Sequence, residues 1–260
     1  MQITFSKYQG TGNDFILIDN RNQDMVLSEA QVARLCNRRF GIGADGLMLI
    51  APSDDADFRM VYYNADGRES SMCGNGGRCI VAFAKKLGMV QDAASFMAVD
   101  GLHTALIHAD GSIDLSMKDV RDIHFESDHS ILNTGSPHHV QWVEDADAID
   151  VFKLGKSIRM AAGKEGINVN FTQQRGDGIY VRTYERGVEE ETLSCGTGVT
   201  AAAIASVGTN LGTFKIAIAT PGGNLEVSFT KKTEYSAEQV VLSGPATMVY
   251  EGLINEDFPL

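Results

Sequence analysis

Two of the four cysteines, Cys73 and Cys195, each stand directly before a Gly-x-Gly turn: Cys73-Gly74-Asn75-Gly76 and Cys195-Gly196-Thr197-Gly198. Each turn opens a segment with helical spacing. A cysteine there meets open backbone N–H groups and the positive end of a helix dipole, and both favour thiolate over thiol, lowering a pKa of about 8.5. The same N–H groups, unshielded because glycine carries no side chain, can cradle a carboxylate. Two such termini supply roughly half a positive charge each. Facing one ligand, they would offset about one negative charge, which matters where a carbanion must form beside a carboxylate. One such turn alone is more often a packing cysteine or a phosphate cradle. Its repetition turns the reading toward two acid/base thiols. A metal site is not expected: Cys73 and Cys79 lack the C-x2-4-C spacing of zinc ligands, and neither His103 nor His108 completes a ligand set. Cys36 and Cys79 fall on helical faces and read as small core residues.

The two turns belong to a longer repeat. Thr11-Gly12-Asn13 returns as Thr134-Gly135-Ser136 at an offset of 123, and Tyr63-Asn64 as Tyr184-Glu185 at 121. The cysteine turns lie 122 apart, and Asp114-Leu115-Ser116 resembles Val241-Leu242-Ser243 at 127. Ordered matches at nearly one offset imply two like domains in tandem, not a solenoid of short units. Asn64 and Glu185 occupy equivalent places but differ in type, so the halves are expected to bind different parts of one asymmetric ligand. Glu185 suits an ammonium, and Arg186 beside it offers a fork for a carboxylate. His138 and His139 follow a Gly-Ser-Pro turn, where a histidine is as often structural as catalytic.

The elements that must position these groups read alike in both halves. Residues 3–8 and 15–19 look like short strands around a Gly-containing turn. Ser28-x-x-Gln31 is a capping-box signature opening a helix to about Arg39. Strands are expected at 46–50, 58–63, 96–99, 102–107 and 113–117. The helix after Cys73 carries Ile80, Val81, Phe83, Ala84 and Leu87, with Gly88 as its stop. The helix after Cys195 runs to Val207 with no charged face, so it must be buried all round. The expected fold is therefore α+β: two similar domains related by a pseudo-twofold, each a curved, mostly antiparallel sheet wrapped around a central helix. The domains are expected at 1–119 and 120–247, the boundary lying in the polar stretch between Met117 and Ser130, with 248–260 returning to the first as a strand.

Composition excludes several classes. The 260 residues carry Lys+Arg 22 against Asp+Glu 34, a net charge of −12, which argues against nucleic acid and anionic membrane as partners. The start of the chain has no basic region followed by an apolar one, and no run approaches the roughly 18 apolar residues of a bilayer span. A cytoplasmic protein with reduced thiols is the expectation.

The motifs Tyr8-Gln9-Gly10-Thr11-Gly12-Asn13-Asp14-Phe15, Asn64-Ala65-Asp66-Gly67, Cys73-Gly74-Asn75-Gly76-Gly77-Arg78-Cys79, Tyr184-Glu185-Arg186-Gly187 and Cys195-Gly196-Thr197-Gly198 resemble those of diaminopimelate epimerase. The resemblance runs to about Ser243. It implies interconversion of LL- and meso-diaminopimelate in bacterial lysine and cell-wall precursor synthesis, without pyridoxal phosphate or any other cofactor, in a homodimer. Carried over by motif, Cys73 and Cys195 would be the acid/base thiols. Asn75, Gly76, Gly196 and Thr197, with Gly74 in the same turn, would bind the reacting α-carboxylate, and Asn64 and Glu185 the ammonium on that carbon. Asn13, Asn168 and Arg186 would hold the distal end, with Ser136 where relatives often carry Asn, and His138 would lie near the catalytic centre. Some relatives also carry Gln at Gly46, and the 188–192 segment is one residue longer than the common pattern. Rival readings are a proline or hydroxyproline racemase, which typically has His where Asn75 stands; a non-catalytic amino-acid-binding protein, which needs no second thiol; and a thiol redox protein, disfavoured by the lack of C-x-x-C.

Overall fold

The computed structural model describes residues 2–22, 25–70 and 72–255. The chain divides into two compact units, Met1–Leu115 with Pro245–Leu260, and Ser116–Gly244. In the first unit the elements are β1 (Ile3–Gly10), β2 (Asn13–Asp19), α1 (Glu29–Cys36), β3 (Gly46–Ala51), β4 (Phe58–Asn64), α2 (Gly74–Lys86), β5 (Ala93–Ala98), β6 (Gly101–Ile107) and β7 (Ile113–Ser116). The second begins with β8 (His124–Phe125), β9 (His129–Asn133), β10 (Pro137–Trp142), α3 (Val151–Ala161), β11 (Asn168–Arg175) and β12 (Gly178–Glu185). It continues with β13 (Glu190–Thr192), α4 (Gly196–Ser206), β14 (Gly212–Thr220), β15 (Gly223–Lys231) and β16 (Glu238–Gly244). The last strand, β17 (Thr247–Ile254), pairs antiparallel with β1, Ile3 opposite Ile254.

Both units are built by one rule. In the first, β1/β2, β3/β4, β5/β6 and β6/β7 pair antiparallel, while β2/β3 and β4/β5 pair parallel. A parallel join needs a long crossover, and α1 and α2 supply the two crossovers. The second unit repeats this with β9/β10, β11/β12, β14/β15 and β15/β16 antiparallel, and β10/β11 and β12/β14 parallel across α3 and α4. Residues 116–119 belong with the second unit, held by backbone bonds from Met117 N–H to Val240 O at 2.8 Å and from Val120 N–H to Ala237 O at 2.8 Å.

Each sheet is covered on both faces. On one face of the first, Ile16, Ile18, Leu47 and Leu49 pack with Val32 and Leu35 of α1. On one face of the second, Val169, Phe171 and Tyr184 pack with Val151 of α3. The other faces meet α2 and α4. Helix α4 is buried on all sides, from Val199 through Ala205 without a break. Helix α2 is buried from Gly74 to Val81 and exposes Lys85 and Lys86 in its last turn, where cations oppose the dipole. Among the described residues no helix is long and apolar enough to cross a membrane.

Two local outcomes differ from the sequence reading. The capping box at Ser28 forms with both its bonds, but α1 stops at Cys36 instead of running to about Arg39. Asn37 takes an extended conformation, and its side chain accepts from the N–H groups of Arg39 and Phe40 at 2.9 Å each. That local turn competes successfully with another helical turn. Helix α3 is absent from the elements expected above. Asp150 caps it by accepting from Lys153 N–H at 2.9 Å. Gly155, unfavourable in a helix interior, lets α3 lie on Tyr184: a Cβ there would come within 2.7 Å of Tyr184 Cγ.

Candidate active site

Cys73 is the N-cap of α2, extended at φ −101° and ψ 131°. The first intrahelical bond, from Gly77 N–H to Cys73 O at 2.7 Å, leaves Gly74, Asn75 and Gly76 in the turn whose N–H groups precede the helical ladder. Asn13, just past the β1–β2 turn, meets this cap. Its Nδ2 donates to Asp45 Oδ2 at 2.7 Å, so its Oδ1 faces Cys73 Sγ at 3.6 Å and Asn75 Nδ2 at 3.5 Å. Asp45 and Asp14 share the Arg38 guanidinium, and Asp14 also pairs with Lys7 at 2.8 Å. Burial alone would raise the Asp14 carboxyl, but hydrogen bonds and charges from Arg38 and Lys7 outweigh it and hold the group far below the usual range. The Asn13 amide is thereby oriented by a network of fixed charge. Asn64 lies apart from these bonds, at the end of β4, where it opens a turn closed by Gly67 N–H to Asn64 O at 2.9 Å.

Cys195 is the N-cap of α4, 7% exposed, at φ −116° and ψ 113°. Its Sγ lies 3.5 Å from Thr197 Oγ1, which lies 2.9 Å from His138 Nε2. His138 Nδ1 is 2.9 Å from Asn170 Oδ1, and Asn170 Nδ2 donates to Thr183 Oγ1 at 2.8 Å. Because Asn170 turns its oxygen to the ring, the proton sits on Nδ1 and Nε2 accepts the Thr197 hydroxyl. Thr197 Oγ1 then accepts from the Cys195 thiol. Burial pulls His138 down to about 4, the Asn170 bond opposing and the Arg186 charge adding to the fall, so the ring is neutral at physiological pH. His139 points to the opposite face of β10 and stacks on His129 with centroids 4.3 Å apart.

Three further residues named from the sequence meet in the second unit. Asn168 Nδ2 donates to Ser136 Oγ at 2.8 Å, Arg186 Nη2 donates to the same oxygen at 3.3 Å, and Asn168 Oδ1 accepts from Arg186 N–H at 2.9 Å. Arg186 also donates to Glu165 O at 3.2 Å, and no carboxylate among the described residues pairs with it. Glu185 accepts from Thr192 Oγ1 at 3.0 Å. Sequence reasoning missed Asn170 and Thr183, and it gave Thr11 no role at the site. Thr11 Oγ1 donates to Asn75 Oδ1 at 3.3 Å, and its repeat partner Thr134 donates to Thr197 O at 2.8 Å. A signal existed for one of them: Asn170 stands between Val169 and Phe171 in a strand whose first five residues are all buried.

Solved structures of the same fold include a hydroxyproline epimerase from Agrobacterium vitis, TM-score 0.73 at 15% identity over 99% of this chain and 94% of that one. Another is the Bacillus anthracis phenazine biosynthesis protein of the PhzF family, TM-score 0.72 at 14% identity over 98% and 99%. The architecture is thus the two-unit α+β fold of those structures. Residues 5–121 and 130–249 match the family model for diaminopimelate epimerase. The Flavobacterium psychrophilum diaminopimelate epimerase is 50% identical over 95% of this chain and 98% of its own, and that of Chlorobaculum tepidum 41% identical over 94% and 98%. The chain belongs to the diaminopimelate epimerase family and is an isomerase of the epimerase class.

Proposed function

We propose that this protein interconverts LL- and meso-diaminopimelate with Cys73 and Cys195 as its acid/base pair, one thiolate and one thiol, without pyridoxal phosphate or metal. The thiolate takes the α-proton from one face. The electron pair stays on the α-carbon, delocalised into the adjacent carboxylate, and the thiol delivers its proton to the opposite face. Product formation leaves the protonation of the two sulfurs exchanged, so the reverse reaction starts from the product state. The observation that carries this reading is the repetition of one device: each unit makes a cysteine the N-cap of a buried helix, where the dipole favours negative charge.

The remaining roles follow the same device. The first turns of α2 and α4, through Gly74, Asn75 and Gly76 and through Gly196 and Thr197, receive the reacting carboxylate. Asn64 and Glu185 take the α-ammonium. Asn13 and the Ser136–Asn168–Arg186 cluster hold the distal amino-acid end, which the planar Arg186 fork suits. His138 orients Thr197. The protein works in the cytoplasm as a homodimer, a state favoured by the exposed Met248, Val249, Tyr250 and Leu253 of β17; sedimentation in dilute buffer should give a dimer mass.

The deciding assay is α-proton exchange in deuterated water. LL-diaminopimelate should acquire deuterium and appear as the meso isomer, and L-proline should do neither. Exchange on L-proline with none on diaminopimelate would replace this reading with the racemase one.

A further inference from the structure

Arg78 is fully buried in α2, yet its donors reach only neutral oxygens. Nη2 donates to Asn75 Oδ1 at 3.0 Å and to Thr11 Oγ1 at 3.4 Å, Nη1 to Gly74 O at 3.3 Å, and Nε to Pro245 O at 3.3 Å. No carboxylate among the described residues pairs with it, whereas Arg38, Arg159, Arg175 and Arg182 each have one. An arginine cannot shed its proton to escape burial, and a buried charge without a counter-ion costs several kcal/mol. The fold has nonetheless been shaped to keep it. Gly10 is part of that shaping, because a Cβ there would lie 3.1 Å from Asn75 O and 3.4 Å from Arg78 Nη2.

The anions that can answer this charge are few. Cys73 and Cys79 are the groups whose charge acts on Arg78. Cys79 is fully buried, and burial pushes its thiol up to about 12 despite the guanidinium beside it, so it stays protonated. Of the other charged or titratable groups around this cap, Asp14 on β2 is committed to Lys7 and Arg38, Asp45 binds Arg38 and the Asn13 amide, and Tyr8 on β1 is neutral, burial raising it to about 12. That leaves Cys73. The resting thiol has Asn13 Oδ1 as its acceptor, and the cation acts once the proton has left. In the second unit the equivalent residue is Thr200, which donates to Gly196 O at 2.8 Å and brings no charge.

Resting on the two-thiol reading above, we propose that Arg78 is a positioning residue of the Cys73 half of the site. Its guanidinium is the buried counter-charge of the Cys73 thiolate, and its Nη2 pins the Asn75 oxygen so that the amide nitrogen faces Asn13. Cys73 and Cys195 are therefore unequal bases, the first supported by a fixed cation and the second by a neutral hydroxyl–imidazole chain.

The test follows alkylation by iodoacetamide across pH 6 to 10 on the full chain, reading each cysteine by peptide mass. Arg78→Met should raise the Cys73 midpoint by about one pH unit or more, the scale of losing a neighbouring charge, and leave Cys195 unmoved. Arg78→Lys should restore most of the Cys73 midpoint while KM rises, since the charge returns without the fork on Asn75. If Arg78→Met does not fold, Arg78→Gln provides the same neutral comparison. A folded neutral variant with an unchanged Cys73 midpoint, or with both thiols shifted alike, overturns the proposal. The alkylation readout needs no substrate, so failure of the wild-type protein to exchange an α-proton would sink the epimerase reading separately.

Discussion

The two cysteine turns share a backbone and differ in where polarity is kept. Register makes the comparison residue by residue. Phe15 stands opposite Gly46 in the first unit as His138 stands opposite Asn168 in the second. Met48 stands opposite Tyr62 as Asn170 stands opposite Thr183. Beneath Cys195 the strands therefore supply a polar chain, His138–Asn170–Thr183. Beneath Cys73 the same places hold Phe15, Met48 and Tyr62, with the two rings edge to face at 6.0 Å. The helices reverse the pattern, Arg78 in α2 against Thr200 in α4. At these paired positions the polar group thus comes from the sheet in one unit and from the helix in the other. A duplicated scaffold can keep its dipoles while its two bases acquire different partners.

The largest expected effect tests what the two turns have in common. Cys73→Ala or Cys195→Ala should each lower inversion about a thousandfold or more, the upper range for a proton-transfer group. Each variant should still exchange deuterium slowly into one stereoisomer, and the two should favour opposite ones. Near-normal inversion by either variant would remove that cysteine from the chemistry.

Importing the first unit's residue into the second breaks the difference directly. Asn170→Met leaves His138 Nδ1–H and Thr183 Oγ1 without their buried partner, and should cost about 4 kcal/mol in urea unfolding, from two groups at roughly 1–3 each. A loss under 1 kcal/mol would mean that the polar chain is incidental. Acid sharpens the same point. His138, ordinarily at 6.5 and here at about 4, stays neutral when folded, while the unfolded chain takes up a proton as pH falls through 6.5. Its neutral form is thus fully compatible with folding above about pH 6.5, and stability declines by about 3 kcal/mol between there and pH 4. The first unit has Phe15 at this place, so His138→Phe should flatten that part of the stability curve. An unchanged slope would assign the acid sensitivity to other groups, His139 among them, whose burial also lowers it.

The smallest effect concerns what the units share outside the site. Ser28 and Asp150 cap α1 and α3 at equivalent positions. Replacing either with Ala should cost about 1 kcal/mol, measurable as a shift in thermal midpoint with no change in thiol reactivity. A change in Cys73 or Cys195 alkylation would show that the outer helices also set the central ones.

Much of this molecule was legible from local pattern. The helix buried on all sides after Cys195 and the capping box at Ser28 come from periodicity, caps and composition, which act within a few residues, and the repeat at an offset near 122 comes from matching short motifs in order along the chain. The stop of α1 at Cys36 needed the Asn37 side chain to choose between two local bonds. Helix α3 escaped notice because Gly155 sits inside it, and only the close approach to Tyr184 explains that glycine.

What the sequence alone determined is that two cysteines cap two buried helices in two copies of one fold, since residue type and spacing are enough to define a helix terminus. Tertiary structure decided which side chains stand behind those sulfurs. Cross-strand neighbours depend on register, and register is set by how whole strands bury their faces. Nothing local to Asn170 or Thr183 says that they stand behind the Cys195 turn, because a buried polar group takes its meaning from the partner that satisfies it.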